Sequence, residues 1–199
     1  ETRKLERRLI EAASIALPEE SDERRTLAGY ALTWGEVAEP WPGLRESFEP
    51  GAFTEFLAGS PDVFACYQHD TSQLLGRTSS GTFRLREDET GLAFELDLPS
   101  TTLGHDVREL VARGDLRGVS ICFAAEEEIL SEEGDQLRRK IQRASLYEIS
   151  IVTDPAYRET SVGLRSAQEA LREFRGKAQA ARKAAVQRRL KLRLALLET

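Results

Sequence analysis

The sequence predicts an α+β fold whose strands pair mostly antiparallel, followed by a long C-terminal amphipathic helix. Three patterns indicate this. Apolar and polar residues alternate in several segments joined by short turns, which is typical of antiparallel strands. Two other segments combine capping residues or proline at the start with glycine at the end, as helices do. From Leu164 onward the apolar residues recur every three or four positions, the period of an amphipathic helix.

The predicted elements follow the chain in a simple order. Helices are expected at 49–60 and 100–115, the second capped by serine or threonine and ended by Gly114. A loop is expected at 35–50, because this stretch holds three of the seven prolines. Turns are expected at 18–23 and 132–135. Strands are predicted over 7–17, 25–34, 62–70, 81–88, 91–99, 116–130 and 135–152.

Composition excludes several functional classes. Charged residues make up 31% of the chain and interrupt every apolar run, so no stretch approaches the ~20 apolar residues of a transmembrane helix. The two cysteines, Cys66 and Cys122, exclude a disulfide scaffold and favour a reducing, intracellular compartment. The only histidines are His69 and His105, and no metalloprotease, zinc-ribbon, Walker or GxSxG motif occurs. We therefore expect no metal and no cofactor.

The charge is divided unevenly along the chain. Residues 161–199 hold ten basic and three acidic residues, a net charge of +7, which leaves 18 basic and 31 acidic residues, or −13, in the first 160. This asymmetry predicts two regions with different partners. The change to a helical period at Leu164 places the boundary between them, with a domain over 1–163 and a basic helical tail over 164–199. A solvated basic helix after an acidic domain would give the same pattern. Nucleic acid is a poor candidate partner, since Phe174 is the only aromatic residue of the tail.

Three polar residues stand in apolar surroundings that suggest chemistry. His69 ends a predicted strand beside Asp70, where an imidazole can act as a general base. Ser120 follows Gly118 in an apolar strand, and a buried hydroxyl needs a hydrogen-bond partner. Glu148 interrupts another apolar strand, and buried carboxylates often orient a histidine. Each has an ordinary alternative: a surface histidine, a serine bonded to a neighbouring carbonyl, and an edge strand with its polar face in water.

Strand alternation adds a second candidate nucleophile. Cys122 lies two residues after Ser120 and projects to the same face, so a cysteine nucleophile paired with His69 stays open. His105 lies in the predicted helix beside Asp106 and is interpreted as a solvated residue. Around Glu148, alternation predicts two faces: Tyr147, Ile149 and Ile151 on one, and Leu146, Glu148, Ser150 and Val152 on the other.

Four segments of the chain carry motifs that follow one another in a defined order. They are SFEPGAFTEFL, YQHDTSQLLGR, the segment from TFRLRED to RGVSICF, and LYEISIVTDPAYRETSVGLRS. Over about residues 7–166 the chain resembles the prohead (capsid maturation) protease family of tailed bacteriophages, which is distantly similar to the herpesvirus assemblins. The resemblance implies a compact β-barrel core surrounded by helices. It also implies a serine endopeptidase that cleaves capsid and scaffold proteins, and itself, inside the assembling prohead in the host cytoplasm.

The resemblance also assigns roles to residues of this chain. It implies Ser120 as the nucleophile and His69 as the base. The assemblins use a second histidine as the third member, but none follows His105 here. Glu148 stands at that place, 28 residues after Ser120, with Asp70 as the rival.

Further expectations concern the oxyanion and the partners. Gly118 and Val119 flank the nucleophile and are candidate backbone donors, and the resemblance loosely matches Arg158 to the assemblin oxyanion arginines. The tail is expected to form a homo-oligomer through helix–helix contacts. A non-catalytic assembly protein of the same fold is the alternative function.

Overall fold

The computed structural model describes residues 5–10, 15–16, 25–134 and 136–153. Within these ranges the chain forms eleven strands and two helices. They are β1 (Glu6–Ile10), β2 (Ile15–Ala16), β3 (Thr26–Thr33), β4 (Ala38–Trp41), β5 (Leu44–Phe48), α1 (Thr54–Ala58), β6 (Phe64–Tyr67), β7 (Asp70–Arg77), β8 (Phe83–Glu87), β9 (Gly91–Asp97), α2 (Thr102–Ala112), β10 (Gly118–Glu133) and β11 (Gln136–Val152).

The strands form two sheets. The larger has the order β1-β10-β11-β5-β4, with β6 also paired to β11 and β7 beyond β6; the smaller has the order β2-β3-β9-β8. Strand β11 is 17 residues long, and this length lets it pair with β5 along its first part and with β6 along its last. Those two pairings are parallel, and the other described pairings are antiparallel.

One hydrophobic core is shared by the two sheets and the helices. Alternating residues from strands of both sheets supply it, including the fully buried Phe83 of the smaller sheet and Phe123 of the larger. The prediction of an α+β fold with mostly antiparallel strands is confirmed in that the described chain is rich in strands and has few helices, but the predicted barrel is wrong. The described strands form two separate sheets without a closed ring of pairings, because side-chain packing between the sheets already buries their apolar faces.

The strands predicted over 81–88, 91–99, 116–130 and 135–152 are present as β8, β9, β10 and β11, and both predicted helices are confirmed. The hydroxyl of Thr101 accepts a hydrogen bond from the backbone N–H of Gly104 and caps α2. Gly104 is required there, since a Cβ would lie 2.0 Å from the carbonyl oxygen of Pro99.

Three local predictions are wrong. The predicted strand 7–17 is divided into β1 and β2, which belong to different sheets. The predicted loop 35–50 contains β4 and β5; Pro40 fits because β4 is an edge strand, where a missing N–H is tolerated. Strand β7 was not predicted beyond Asp70, because its sequence is polar at first.

A β-bulge changes the predicted faces of β11. Cys122 pairs with Glu148, whereas the next residue of β10, Phe123, pairs with Leu146, so Tyr147 is the extra residue. The bulge turns Leu146 into the hydrophobic core, on the face opposite to Glu148. The predicted sharing of one face by Leu146 and Glu148 is therefore wrong.

The predicted tail over 164–199 and the boundary at 163 lie outside the described residues and stay predictions. In the described ranges, neither helix has the length and apolarity needed to cross a membrane.

Candidate active site

One face of the larger sheet, opposite to the core, carries a group of buried polar side chains. Ser120 of β10 pairs with Ser150 of β11, and Cys122 pairs with Glu148. On the other side of β11, Cys66 of β6 pairs with Ser150. Because paired residues point to the same face of a sheet, these five side chains share one surface, which we call the site face.

A strained turn brings His69 to this face. Gln68 and His69 form the two-residue connection between β6 and β7, with φ angles of +54° and +60°. Such left-handed conformations cost non-glycine residues ~1–2 kcal/mol each. Strand β11 holds the turn: the N–H of Gln68 donates to the carbonyl of Ile151 (3.0 Å) and that of His69 donates to the Ser150 hydroxyl (3.1 Å).

His69 and Glu148 are hydrogen-bonded, although 79 residues separate them in the chain. Nδ1 of His69 lies 2.6 Å from Oε1 of Glu148, and the carboxylate side chain is only 4% exposed. The contact occupies Nδ1, so Nε2, on the opposite side of the ring, is directed away from the carboxylate.

The same oxygen of Glu148 takes two more hydrogen bonds. The Ser150 hydroxyl donates to Oε1, and the Cys66 thiol lies 3.4 Å from it. Burial alone would raise the pKa of the Glu148 carboxyl, but the hydrogen bonds from His69, Ser150 and Cys66 outweigh burial and hold the pKa below its usual value. Glu148 is thus a carboxylate near neutral pH.

Ser120 lies on the same face but is bonded elsewhere. Its side chain is buried, and the hydroxyl donates to the backbone carbonyl of Arg8 in β1 (3.1 Å) rather than to His69. This is the ordinary alternative that the sequence left open for Ser120. Strand β1 covers the edge of β10, with Leu9 in register with Ser120.

An ionic cluster anchors β1 to the rest of the larger sheet. We define it as Glu6, Arg8, Glu46 and Arg139, whose side chains are at most 6% exposed. Arg8 contacts Glu46 at 2.5 Å and Glu6 at 2.6 Å, and Arg139 contacts both carboxylates at 2.6 Å. Burial alone would raise the pKa of Glu6, but the two guanidinium groups lower it overall.

The rival third member, Asp70, is hydrogen-bonded within its own strand. The carboxylate of Asp70 accepts hydrogen bonds from the N–H (2.9 Å) and hydroxyl (2.6 Å) of Ser72 and from the amide of Gln73 (2.8 Å). These contacts, Ser72 first, lower the pKa of Asp70. Ser72 and Gln73, rather than His69, are therefore the hydrogen-bond partners of the Asp70 carboxylate.

The remaining candidates have varied positions. Burial, and then the charge of Glu148, raises the pKa of the Cys122 thiol, which disfavours the reactive thiolate. His105 is exposed on α2, as expected. Gly118 begins β10, and Val119 lies between Ile10 and Ile151 in register. Arg158 lies outside the described residues. No group of three or more ligating side chains in the described part of the chain is arranged to hold a metal ion.

Sequence reasoning missed Ser150 and Cys66 as parts of this site. Ser150 lies two residues after Glu148 on the same strand face, so alternation alone could have identified it. Cys66 could not be found in this way, because its neighbourhood depends on the parallel pairing of β6 with β11.

The fold of this chain has a counterpart among solved structures. The structure is similar to the solved structure of the bacteriophage T4 capsid assembly protease, gp21, with a TM-score of 0.51 over 76% of this chain and 99% of that one. At 8% sequence identity this likeness concerns the fold alone. A comparison with curated protein sequences gave no match.

A family model identifies the chain more closely. The model of the caudovirus prohead serine protease family matches residues 13–173, which is most of the chain. The chain belongs to this family of phage serine proteases, whose name places them in the prohead.

Proposed function

We propose that the protein is an active endopeptidase of prohead maturation in which Ser120 is the nucleophile, His69 the general base and Glu148 the residue that orients His69. The observation that carries this proposal is the 2.6 Å contact between Nδ1 of His69 and the buried carboxylate of Glu148. Ser120 supports it by its place on the same sheet face, opposite Ser150, whose hydroxyl accepts the N–H of His69.

The reaction follows from this arrangement. The Ser120 hydroxyl first leaves the Arg8 carbonyl by rotation about χ1, since both acceptors compete for its single proton. Nε2 of His69 then takes that proton while Oγ attacks the scissile carbonyl, and later gives it to the leaving amine. Glu148 keeps the proton on Nδ1 and stabilises the imidazolium, and water hydrolyses the acyl-enzyme by the same route.

The oxyanion would be stabilised near the start of β10. Backbone N–H groups of a strand lie in the plane of the sheet, so those of Gly118 and Val119 point toward neighbouring strands. Val119 lies in register between two strands, whereas Gly118 lies just beyond the register of β1, which favours Gly118 as the donor. Arg158 is the proposed cationic partner on the family resemblance alone.

The proposed substrates are the capsid and scaffold proteins of the assembling prohead and the protease itself, in the host cytoplasm. Family membership and the likeness to a capsid assembly protease support this choice. A non-catalytic assembly protein of the same fold is the alternative; the His69–Glu148 pair on the sheet face that also carries Ser120 favours the active enzyme.

Intact mass measured over time tests the activity directly. Wild-type protein should shorten by self-cleavage, while Ser120→Ala should keep its full mass, because loss of a triad nucleophile costs ~10⁴-fold or more. A fluorophosphonate probe should label Ser120 in the wild type. A folded wild type that neither cleaves itself, nor cleaves capsid protein, nor takes the label would support the non-catalytic alternative.

The tail is proposed to mediate self-association or recruitment into the shell. Its charge of +7 opposes the −13 of the first 160 residues, and an isolated amphipathic helix in water needs a packing surface. Deletion of residues 165–199 should leave peptide cleavage largely intact and abolish association. Sedimentation of the full-length and truncated proteins at equal concentration tests self-association. If both sediment as monomers, the proposal of self-association is refuted.

A further inference from the structure

Ser150 connects the two groups on which the proposed base depends. Its hydroxyl accepts a hydrogen bond from the backbone N–H of His69 (3.1 Å) and donates one to Oε1 of Glu148. The side chain is completely buried. We propose that Ser150 is a positioning residue that fixes the His69 turn and the Glu148 carboxylate relative to each other. This inference rests on the proposed function.

The His69 turn needs such support because its backbone is unfavourable. Both Gln68 and His69 have positive φ angles, at positions where two-residue hairpins prefer asparagine and glycine. Two hydrogen bonds from β11 oppose relaxation of the turn, one to the Ile151 carbonyl and one to the Ser150 hydroxyl. Only the second involves a side chain, so a substitution can remove it without changing the backbone of β11.

The carboxylate needs support because a single oxygen must face Nδ1 of His69. Oε1 of Glu148 takes the Nδ1 contact at 2.6 Å, the Ser150 hydroxyl and the Cys66 thiol at 3.4 Å. The Cys66 sulfur also lies 3.0 Å from the Ser150 oxygen and limits rotation of the hydroxyl. A catalytic geometry must be held within about 0.5 Å, so a carboxylate free to rotate would weaken orientation of the ring.

The chain offers a matched control on the same strand. Ser145 of β11 is also buried, and its hydroxyl also donates to a carboxylate, that of Glu126. Ser145→Ala therefore removes the same atom from the same strand without touching His69 or Glu148. It reports the general effect of losing a buried hydroxyl in β11.

Kinetics on a peptide made from the mapped self-cleavage site form the first test. Ser150→Ala should lower kcat ~10–100-fold with KM within about threefold, because misplacement of the base affects the chemical step more than binding. Ser145→Ala should stay within about twofold. Ser150→Thr, which restores the hydroxyl, should recover most of the loss. Equal rates for Ser150→Ala and Ser145→Ala would overturn the proposal.

A double variant tests whether Ser150 acts through Glu148. In a Glu148→Gln background, Ser150→Ala should cost less than about threefold, since the carboxylate that it positions is already gone. If Ser150→Ala lowered the rate by the same factor in the Glu148→Gln background as in the wild type, the inference would be contradicted. This double-variant comparison does not use Ser150→Thr, so it remains a test if the added methyl group of that variant disturbs packing.

A measurement on the resting protein separates this inference from the proposed function. Nitrogen-15 NMR of the His69 ring, assigned with His105→Gln, should show the proton on Nδ1 in the wild type and in Ser145→Ala, and a mixture of tautomers in Ser150→Ala. An unchanged His69 spectrum in Ser150→Ala overturns the positioning role. Absence of wild-type cleavage with this spectral change present would instead refute the proposed function alone.

Discussion

Replacing Glu148 by glutamine tests the proposed orienting residue with almost no change in side-chain volume. The oxygen that faces His69 accepts three hydrogen bonds, and the charge on the carboxylate makes each of them stronger. A neutral amide keeps one oxygen there but cannot stabilise the imidazolium that forms when Ser120 is deprotonated. We expect turnover to fall ~10²–10⁴-fold, which corresponds to about 2.7–5.5 kcal/mol of transition-state stabilisation.

The matched control is Asp70→Asn, because Asp70 adjoins His69 in sequence but binds Ser72 and Gln73. We expect this variant to stay within about threefold of the wild type. The assay is kcat and KM on the self-cleavage peptide, with both variants shown to be folded by circular dichroism. A larger loss in Asp70→Asn than in Glu148→Gln would refute the assignment and make Asp70 the third member.

Acid unfolding tests the lowered pKa of the Glu148 carboxyl without depending on catalysis. The pKa of its carboxyl is lower in the folded protein than in the unfolded chain, so the unfolded state binds more protons below about pH 4.5. Its stabilising effect is present above the unfolded pKa and is lost as pH falls through the folded pKa. Between pH 5 and 3 the unfolding free energy of Glu148→Gln should therefore fall less steeply than that of the wild type. Equal slopes in urea titrations would contradict the lowered pKa.

Three further predictions concern stability and the alternative nucleophile. Arg139→Met should lower the unfolding free energy by ~3–5 kcal/mol in urea titrations, because it leaves buried carboxylates of the ionic cluster unpaired, whereas Arg84→Met at an exposed pair should cost at most about 1 kcal/mol. Cys122→Ala should keep full peptidase activity, because the raised pKa of this thiol disfavours the thiolate. An inactive Cys122→Ala variant and a fully active Ser120→Ala variant would instead establish a cysteine protease. Gly91→Ala should lower the melting temperature because its Cβ would lie 2.0 Å from a backbone oxygen of β3, whereas Gly59→Ala, with its nearest contact at 3.4 Å, should change it little.

The sequence by itself determined the local structure and much of the chemistry of this protein. Period-two alternation predicted strands such as β8 and β9, and a serine or threonine cap with a terminal glycine predicted α2, because both patterns depend on neighbours along the chain. Two buried polar residues, Ser120 and Glu148, were conspicuous because apolar strands rarely tolerate them. The prolines of 35–50 led to the wrong prediction of a loop. Their effect depends on whether a strand lies at the edge of a sheet, which local sequence does not encode.

The tertiary structure decided which of these groups meet. The pairing of β6 with β11 joins segments about 80 residues apart and brings His69 to Glu148. The carboxylate of Asp70, which is the neighbour of His69 in the chain, bonds Ser72 and Gln73 instead. The bulge at Tyr147 and the cover of Ser120 by β1 likewise result from long-range register. Register is selected by the burial of whole strand faces, a property of the assembled sheets, so no single segment contains it.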